Sequence, residues 1–355
     1  MLGLARDRVL AALSWVPSES LRLPVVLLLV AGSAVCALLA LPKGGPFSFG
    51  RASVGGTVGP AAGPRAVAAR GAAVGTASLR EDPFRPVFDE MVARLEGAAR
   101  RHPARVAIYV KDLRRGWEWA YHADDLFPSA SLIKVPIMAG VFERIHRGRL
   151  SLRSQLKLRR RTRMGGSGSI KWKRDGTRFS VRQLLDKMMH ESDNTAMLLL
   201  IDEVGMGFLQ NFFPKMGFVY TEIYPDGLRL TSHRVRYENY TTAREMGMLF
   251  ERLYRGEVVD RFASELMLEI MKRRRARSRL AEGLPVGWEI AHKTGLLRRA
   301  CHDAGIVFSP DGDYVIAVLT GRNRSYVAAK GFIGQLGKIT YKHYKSGAGL
   351  YAKKT

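Results

Sequence analysis

The sequence predicts an α+β fold: an antiparallel sheet flanked by helices, with an all-α lobe inserted between its early and late strands. Three observations carry that prediction. Val106, Ile108 and Val110 recur at every second position, and so do Trp117, Trp119 and Tyr121. Strands are read again at Trp288–Lys293, Ala304–Phe308 and Tyr314–Leu319. Between the two groups the spacing is helical, so the strands gather at the two ends of one domain instead of alternating singly with helices.

In chain order, residues 1–24 form a short basic segment containing Arg6, Arg8 and Arg22, and Val25–Leu41 is an almost unbroken apolar run. Basic residues ahead of such a run imply a cytoplasmic N-terminus and an exported remainder. An uncleaved membrane anchor and a cleaved signal segment both fit the run. The folded part is therefore expected in the cell envelope, on the extracytoplasmic (periplasmic or extracellular) side, either anchored or secreted. Residues 42–82 are rich in Gly, Ala, Val and Pro, show no period and read as a flexible tether.

The folded domain is expected over residues 83–345, with a basic tail at 346–355. Phe84, Phe88, Met91, Val92 and Leu95 recur at helical spacing and predict a helix over Pro83–Arg100. Two strands follow, turned at Asp112–Gly116. Ser180-Val181-Arg182-Gln183 has the form of a capping box ahead of a helix carrying Leu184, Leu185, Met188 and Met189. After the last three strands, with Pro310-Asp311-Gly312-Asp313 as a hairpin turn, a closing helix is expected over Tyr326–Tyr344.

The 355-residue chain holds 57 Lys and Arg against 32 Asp and Glu, a formal net charge of +25. Such an excess points first to nucleic acid. The cations are dispersed, however, and the two denser runs, Lys157–Arg163 and Lys272–Arg279, sit in no nucleic-acid-binding module. A solvated basic face against a polyanionic envelope is the preferred reading, with no nucleic-acid partner. The cysteines, Cys36 and Cys301, give no zinc spacing, and Cys36 lies inside the apolar run, so they are not expected to pair. No metal and no cofactor is expected.

Three short motifs carry chemistry: Ser131-Leu132-Ile133-Lys134, Ser192-Asp193-Asn194 and Lys293-Thr294-Gly295. Alone, each is common. Residues three apart on a helix share a face, so Lys134 can reach the Ser131 hydroxyl. Serine is a poor nucleophile until a neighbouring base takes its proton, and a desolvated lysine near Lys293 can lose its own near neutral pH. The backbone N–H groups of Ser131 and Leu296 are candidates for holding an oxyanion, and Gly295 is expected to leave room for a substrate along its strand.

In this order, on these elements, the three motifs are the signature of class A β-lactamases and penicillin-binding proteins. Phe127–Met138, Asn239-Tyr240-Thr241-Thr242 and His302–Val307 also resemble segments of β-lactamase-like serine hydrolases. The resemblance covers residues 83–345 and implies the β-lactamase/transpeptidase-like fold. It further implies that Ser131 is acylated, that Lys134 is the general base and that Ser192 relays a proton to the leaving nitrogen. Asn194 would hold the substrate amide, and Lys293 and Thr294 the substrate carboxylate. The substrate would be a β-lactam or a peptidoglycan stem peptide, and the protein a monomer.

Two departures stand out. Leu296-Leu297-Arg298-Arg299 follows Lys293-Thr294-Gly295 where the family has smaller residues, and the family's deacylating Glu-x-x-Leu-Asn segment is missing. Counting back from Thr241-Thr242 lands on Asp226, which is either a shortened deacylating base or simply the head of a Pro225-Asp226-Gly227 turn. A β-lactamase with slow deacylation is the first reading. A DD-peptidase-like enzyme and a penicillin- or peptidoglycan-binding module without turnover remain open beside it. Arg277 and Arg279 are expected on a solvated basic helix end.

Overall fold

The computed structural model describes residues 82–228, 235–272, 278–310 and 312–352. The apolar run, the tether, Cys36, Asp311 and Arg277 lie outside them. Helix α1 (Arg85–Arg101) carries Pro86 in its first turn, where a missing N–H costs nothing, and buries Phe88, Met91, Leu95, Ala98 and Ala99. Strands β1 (Arg105–Asp112) and β2 (Glu118–Tyr121) follow as expected, and β7 (Glu289–Leu297), β8 (Ala300–Phe308) and β9 (Tyr314–Gly321) return near the C-terminus. They form one antiparallel five-stranded sheet in the order β2-β1-β9-β8-β7.

Both faces of that sheet are covered. On β1 and β9, Ala107, Tyr109, Val315, Ala317 and Leu319 face one core, under the helical lobe. Their alternates Val106, Ile108, Val110, Tyr314, Ile316 and Val318 face a second core, under α1 and the closing helix. The period of two thus delivers apolar side chains to both sides.

The inserted lobe holds α2 (Lys134–His146), α3 (Val181–His190), α4 (Asn194–Val204), α5 (Met206–Lys215), α6 (Ala243–Arg255) and α7 (Arg261–Lys272). The short α8 (Leu280–Gly283) leads back into the sheet. The capping box at Ser180 forms: its side chain accepts from the Gln183 N–H, and the Gln183 side chain accepts from the Ser180 N–H. Two small sheets that the periodicity did not signal pair β3 (Phe127–Pro128) with β6 (Tyr240–Thr241) and β4 (Gln155–Lys157) with β5 (Arg178–Ser180). Strands of two or three residues are too short to show a period.

The closing helix, α9 (Tyr326–Ala352), runs past Tyr344 into the segment read as a tail, which holds no proline to end it. Arg279 corrects a second expectation. Instead of ending a solvated helix it is buried, with φ 56°, and its Nε donates to Cys301 Sγ at 3.3 Å.

Candidate active site

Ser131 is placed by a chain of local causes. Phe127 is buried beside Gly321, where a side chain would lie 3.2 Å from the ring. Pro128 pairs with Tyr240, and the Ser129 N–H donates to the Asn239 carbonyl at 2.6 Å. Ala130 then takes φ 48°, uncommon for a residue with a side chain, and opens a turn of 3-10 helix over Ala130–Ile133. Lys134 begins α2, whose residues from Val135 to Phe142 are all buried. A helix apolar on every side runs through the core, so its first residue is desolvated with it.

Lys134 Nζ lies 3.2 Å from Ser131 Oγ, 3.0 Å from Ser192 Oγ, 2.7 Å from the Ser192 carbonyl and 2.7 Å from Asn194 Oδ1. Burial pushes its ammonium down to about 7, against a smaller opposing pull from the Asp193 carboxylate. Ser192 Oγ donates to Ser131 Oγ at 2.9 Å, and Lys293 Nζ donates to Ser192 Oγ at 3.1 Å and to the Thr294 carbonyl at 3.0 Å. Residues separated by more than a hundred positions thus form one continuous line of hydroxyls and amines, from Lys134 through Ser131 and Ser192 to Lys293. Ser192 itself holds φ 53°, so strained backbone flanks both hydroxyls, as is common where side chains are aimed at a reaction.

Asp193 does not face this line. Its carboxylate caps α4 through the Ala196 N–H at 2.9 Å and accepts from Ser169 N–H at 2.7 Å and Ile170 N–H at 2.9 Å. The glycine-rich stretch Gly165-Gly166-Ser167-Gly168-Ser169 therefore wraps the Ser-Asp-Asn corner. The Ser167 carbonyl accepts from the Asn194 N–H, and the Gly165 carbonyl accepts from Asn194 Nδ2 at 2.9 Å. Sequence reasoning missed this wall; the run of three glycines in four residues was its only signal. Asn194, expected to hold substrate, spends its two polar ends on Lys134 and Gly165.

Beside Ser131 lies a cleft of about 180 Å³ walled by Ala130, Lys134, Gly166, Ser167, Asn194, Met197, Gly227, Leu228, Leu296 and Leu297. Leu296 and Leu297 belong to β7, the edge strand of the sheet, and make this wall apolar. Gly295 has a different reason from the one expected: a side chain there would meet Ala130 Cβ and His302 Cδ2, each at 3.1 Å. It permits close approach of the nucleophile turn to the edge strand. Thr294 is buried and pairs across strands with Asp303. Asp226 heads the short turn Asp226–Leu228, but the next two residues, Gly227 and Leu228, supply the cleft wall. Among the described residues, those that wall the cleft include no carboxylate.

His302, which opens the segment His302–Val307, sits behind the site. Its Nε2–H donates to the Pro128 carbonyl at 2.8 Å, its Nδ1 accepts from the Thr320 N–H at 3.2 Å, and its ring meets Phe127 edge-on. Burial pushes the imidazole down to about 4, so it is neutral, and its bonds fit the Nε2–H tautomer. Asp303 belongs to another pair, accepting from His292 Nδ1 at 2.7 Å, so no Ser-His-Asp triad forms here. His190 donates from Nε2 to the Ile270 carbonyl at 2.7 Å, as an ordinary helix-end histidine does.

Comparison with known proteins gives the family and the fold. Residues 89–344 match the model of the β-lactamase enzyme family. The β-lactamase VEB-1 of Pseudomonas aeruginosa is 24% identical over 274 residues, 72% of this chain and 91% of that protein. A β-lactamase of Streptomyces fradiae is 29% identical over 237 residues, 64% of this chain and 78% of its own length. Among solved structures, that of PBP-A superposes with a TM-score of 0.66 at 27% identity, covering 72% of this chain and 96% of its own. An L158E mutant of PBP-A, an acyl-enzyme complex with penicillin-G, gives 0.66 at 26% identity, covering 73% and 97%.

Proposed function

Because the chain belongs to the β-lactamase enzyme family and is a β-lactamase-like serine hydrolase, we propose that it acts in the manner of class A enzymes, through acylation of Ser131 by β-lactams, and that its deacylation is slow. The observation that carries the first half is the unbroken line Lys134–Ser131–Ser192–Lys293. With Lys134 neutral, its Nζ takes the Ser131 hydroxyl proton while Oγ attacks the β-lactam carbonyl. The C–N bond then breaks, and the leaving nitrogen takes the proton of Ser192 Oγ, which Lys293 or the newly formed Lys134 ammonium replaces. The backbone N–H groups of Ser131 and Leu296 are assigned to the carbonyl oxygen. Lys293, buried beside Ser192, is assigned to a substrate carboxylate together with Thr294.

The wall of Gly227 and Leu228 supports the second half. Hydrolysis of the ester needs a base aimed at a water, and neither residue offers one. Asp226 is then the head of a turn, not the deacylating base. The same wall favours a second reading, a peptidoglycan DD-peptidase-like activity. The L158E mutant of PBP-A is an acyl-enzyme complex with penicillin-G, and the likeness to it supports a lasting acyl adduct in this chain. Anchoring of the domain outside the cytoplasmic membrane through Val25–Leu41 is part of the proposal.

Parallel assays decide between the readings. We expect weak nitrocefin turnover after a stoichiometric first phase. Rapid steady turnover would remove slow deacylation. Efficient release of D-alanine from a stem pentapeptide would favour the second reading over the first.

A further inference from the structure

A strongly basic surface among the described residues is the insert between β4 and β5. Residues 157–178 hold nine lysines and arginines against one aspartate. Lys157, Arg159, Arg160, Lys173, Arg174 and Arg178 are all exposed. None of these six makes an ion pair among the described residues. At the tip stands Trp172, 80% exposed, which is unusual for so large an apolar side chain.

The tip is held in place. Arg163 donates to the carbonyls of Lys171 and Lys173 and pairs with Asp175, while Lys171 bonds the Gly166 carbonyl and sets its ammonium 5.3 Å from the Trp172 ring. An exposed tryptophan beside the Lys171 ammonium, in an insert of exposed cations that includes its sequence neighbours Lys173 and Arg174, matches a bilayer interface, where indole lies at headgroup level and Lys and Arg meet anionic lipid. A single-stranded nucleic acid also meets cations and aromatics, but on successive stacking platforms; Trp172 is the insert's one tryptophan, with Phe179 outside it.

We propose that the 157–178 insert is a membrane-docking surface that rests on anionic phospholipid headgroups with Trp172 inserted at the interface. The inner edge of this insert is the glycine-rich wall of the cleft, through Gly166 and Ser167. Docking therefore fixes the mouth of the site relative to the bilayer. The proposal is independent of the chemistry at Ser131.

The test uses the full chain reconstituted in vesicles of phosphatidylcholine, with or without about one third phosphatidylglycerol, carrying brominated acyl chains. Subtracting the emission of Trp172→Phe from that of the wild type isolates Trp172. We expect Trp172 to be quenched at least threefold more in anionic than in neutral vesicles. Raising the salt to about 0.5 M should release it, since the contacts are screened. The double variant Lys173→Glu/Arg174→Glu should lose the anionic preference while still labelling with a fluorescent penicillin. Equal quenching in both vesicles, or no effect of salt on the wild type, would overturn the proposal without reference to any variant. So would protection of Trp172 by a single-stranded oligonucleotide with no quenching by anionic lipid, which would make the surface a nucleic-acid site.

Discussion

In the proposed reaction, attack by Ser131 waits on Lys134, whose ammonium must give up a proton before it can take one from the hydroxyl. With that ammonium near 7, the acylation rate constant should rise about tenfold per pH unit below 7 and level off above it, measured with a chromogenic penicillin. Stability carries the same signature. The unfolded lysine titrates near about 10.4, so between pH 7 and 10.4 the unfolded chain binds one more proton and stability rises with pH. Relative to Lys134→Met, the wild type should gain on the order of 2–3 kcal/mol between pH 6 and pH 9, read by denaturant titration. A flat difference would mean Lys134 is not desolvated. Lys293→Ala should slow attack on carboxylate-bearing β-lactams by a factor equivalent to about 2–4 kcal/mol while the fold survives. An unfolded mutant would make Lys293 structural instead. His302 acts through the backbone it holds. His302→Ala should leave a folded protein whose acylation is slower by on the order of 10²-fold, because a displacement of about 1 Å is enough. Gln, which keeps a donor for the Pro128 carbonyl, should recover part of the rate.

Among the elements, the strands and helices that the sequence announces are those long enough to show a period or an apolar run, such as β1, β9 and the capped α3. Ser131, Lys134, Ser192 and Lys293 were legible because each sits in a short motif whose residue types state its chemistry. The parts that hold them were not. The Gly165–Ser169 wall, the β3–β6 pair and His302 act through contacts between residues far apart in sequence. A glycine or a buried histidine names no partner until the chain is folded. Gly168 shows the point. At φ +102°, a side chain there would lie 2.1 Å from Asp193 Cγ, so only glycine lets the wall reach the Ser-Asp-Asn corner. Gly168→Ala should cost about 1–3 kcal/mol locally and cut the rate of acylation, measured by penicillin labelling, while the main thermal transition moves little. Labelling at wild-type rate would show that the wall does not support the site.

At the scale of the whole molecule, the fold brings together three segments that meet only because β7–β9 return to the strands next to α1. The nucleophile turn belongs to the entry of the helical lobe, the Ser-Asp-Asn corner to its interior and Lys293 to the sheet edge, so the site lies where lobe and sheet join. On the proposed reading, the wall of Gly227 and Leu228 in the cleft beside Ser131 gives fast capture and slow release. Asp226→Ala should change the lifetime of the adduct by less than about twofold, whereas a deacylating base would lengthen it by several orders of magnitude. Acylation of Ser131 is read by time-resolved intact-mass measurement with benzylpenicillin, followed by peptide mapping. One added penicillin per chain is expected within seconds, located on Ser131, persisting for minutes and absent from Ser131→Ala. An adduct on another residue, or the absence of both adduct and hydrolysis in the wild type, would contradict it.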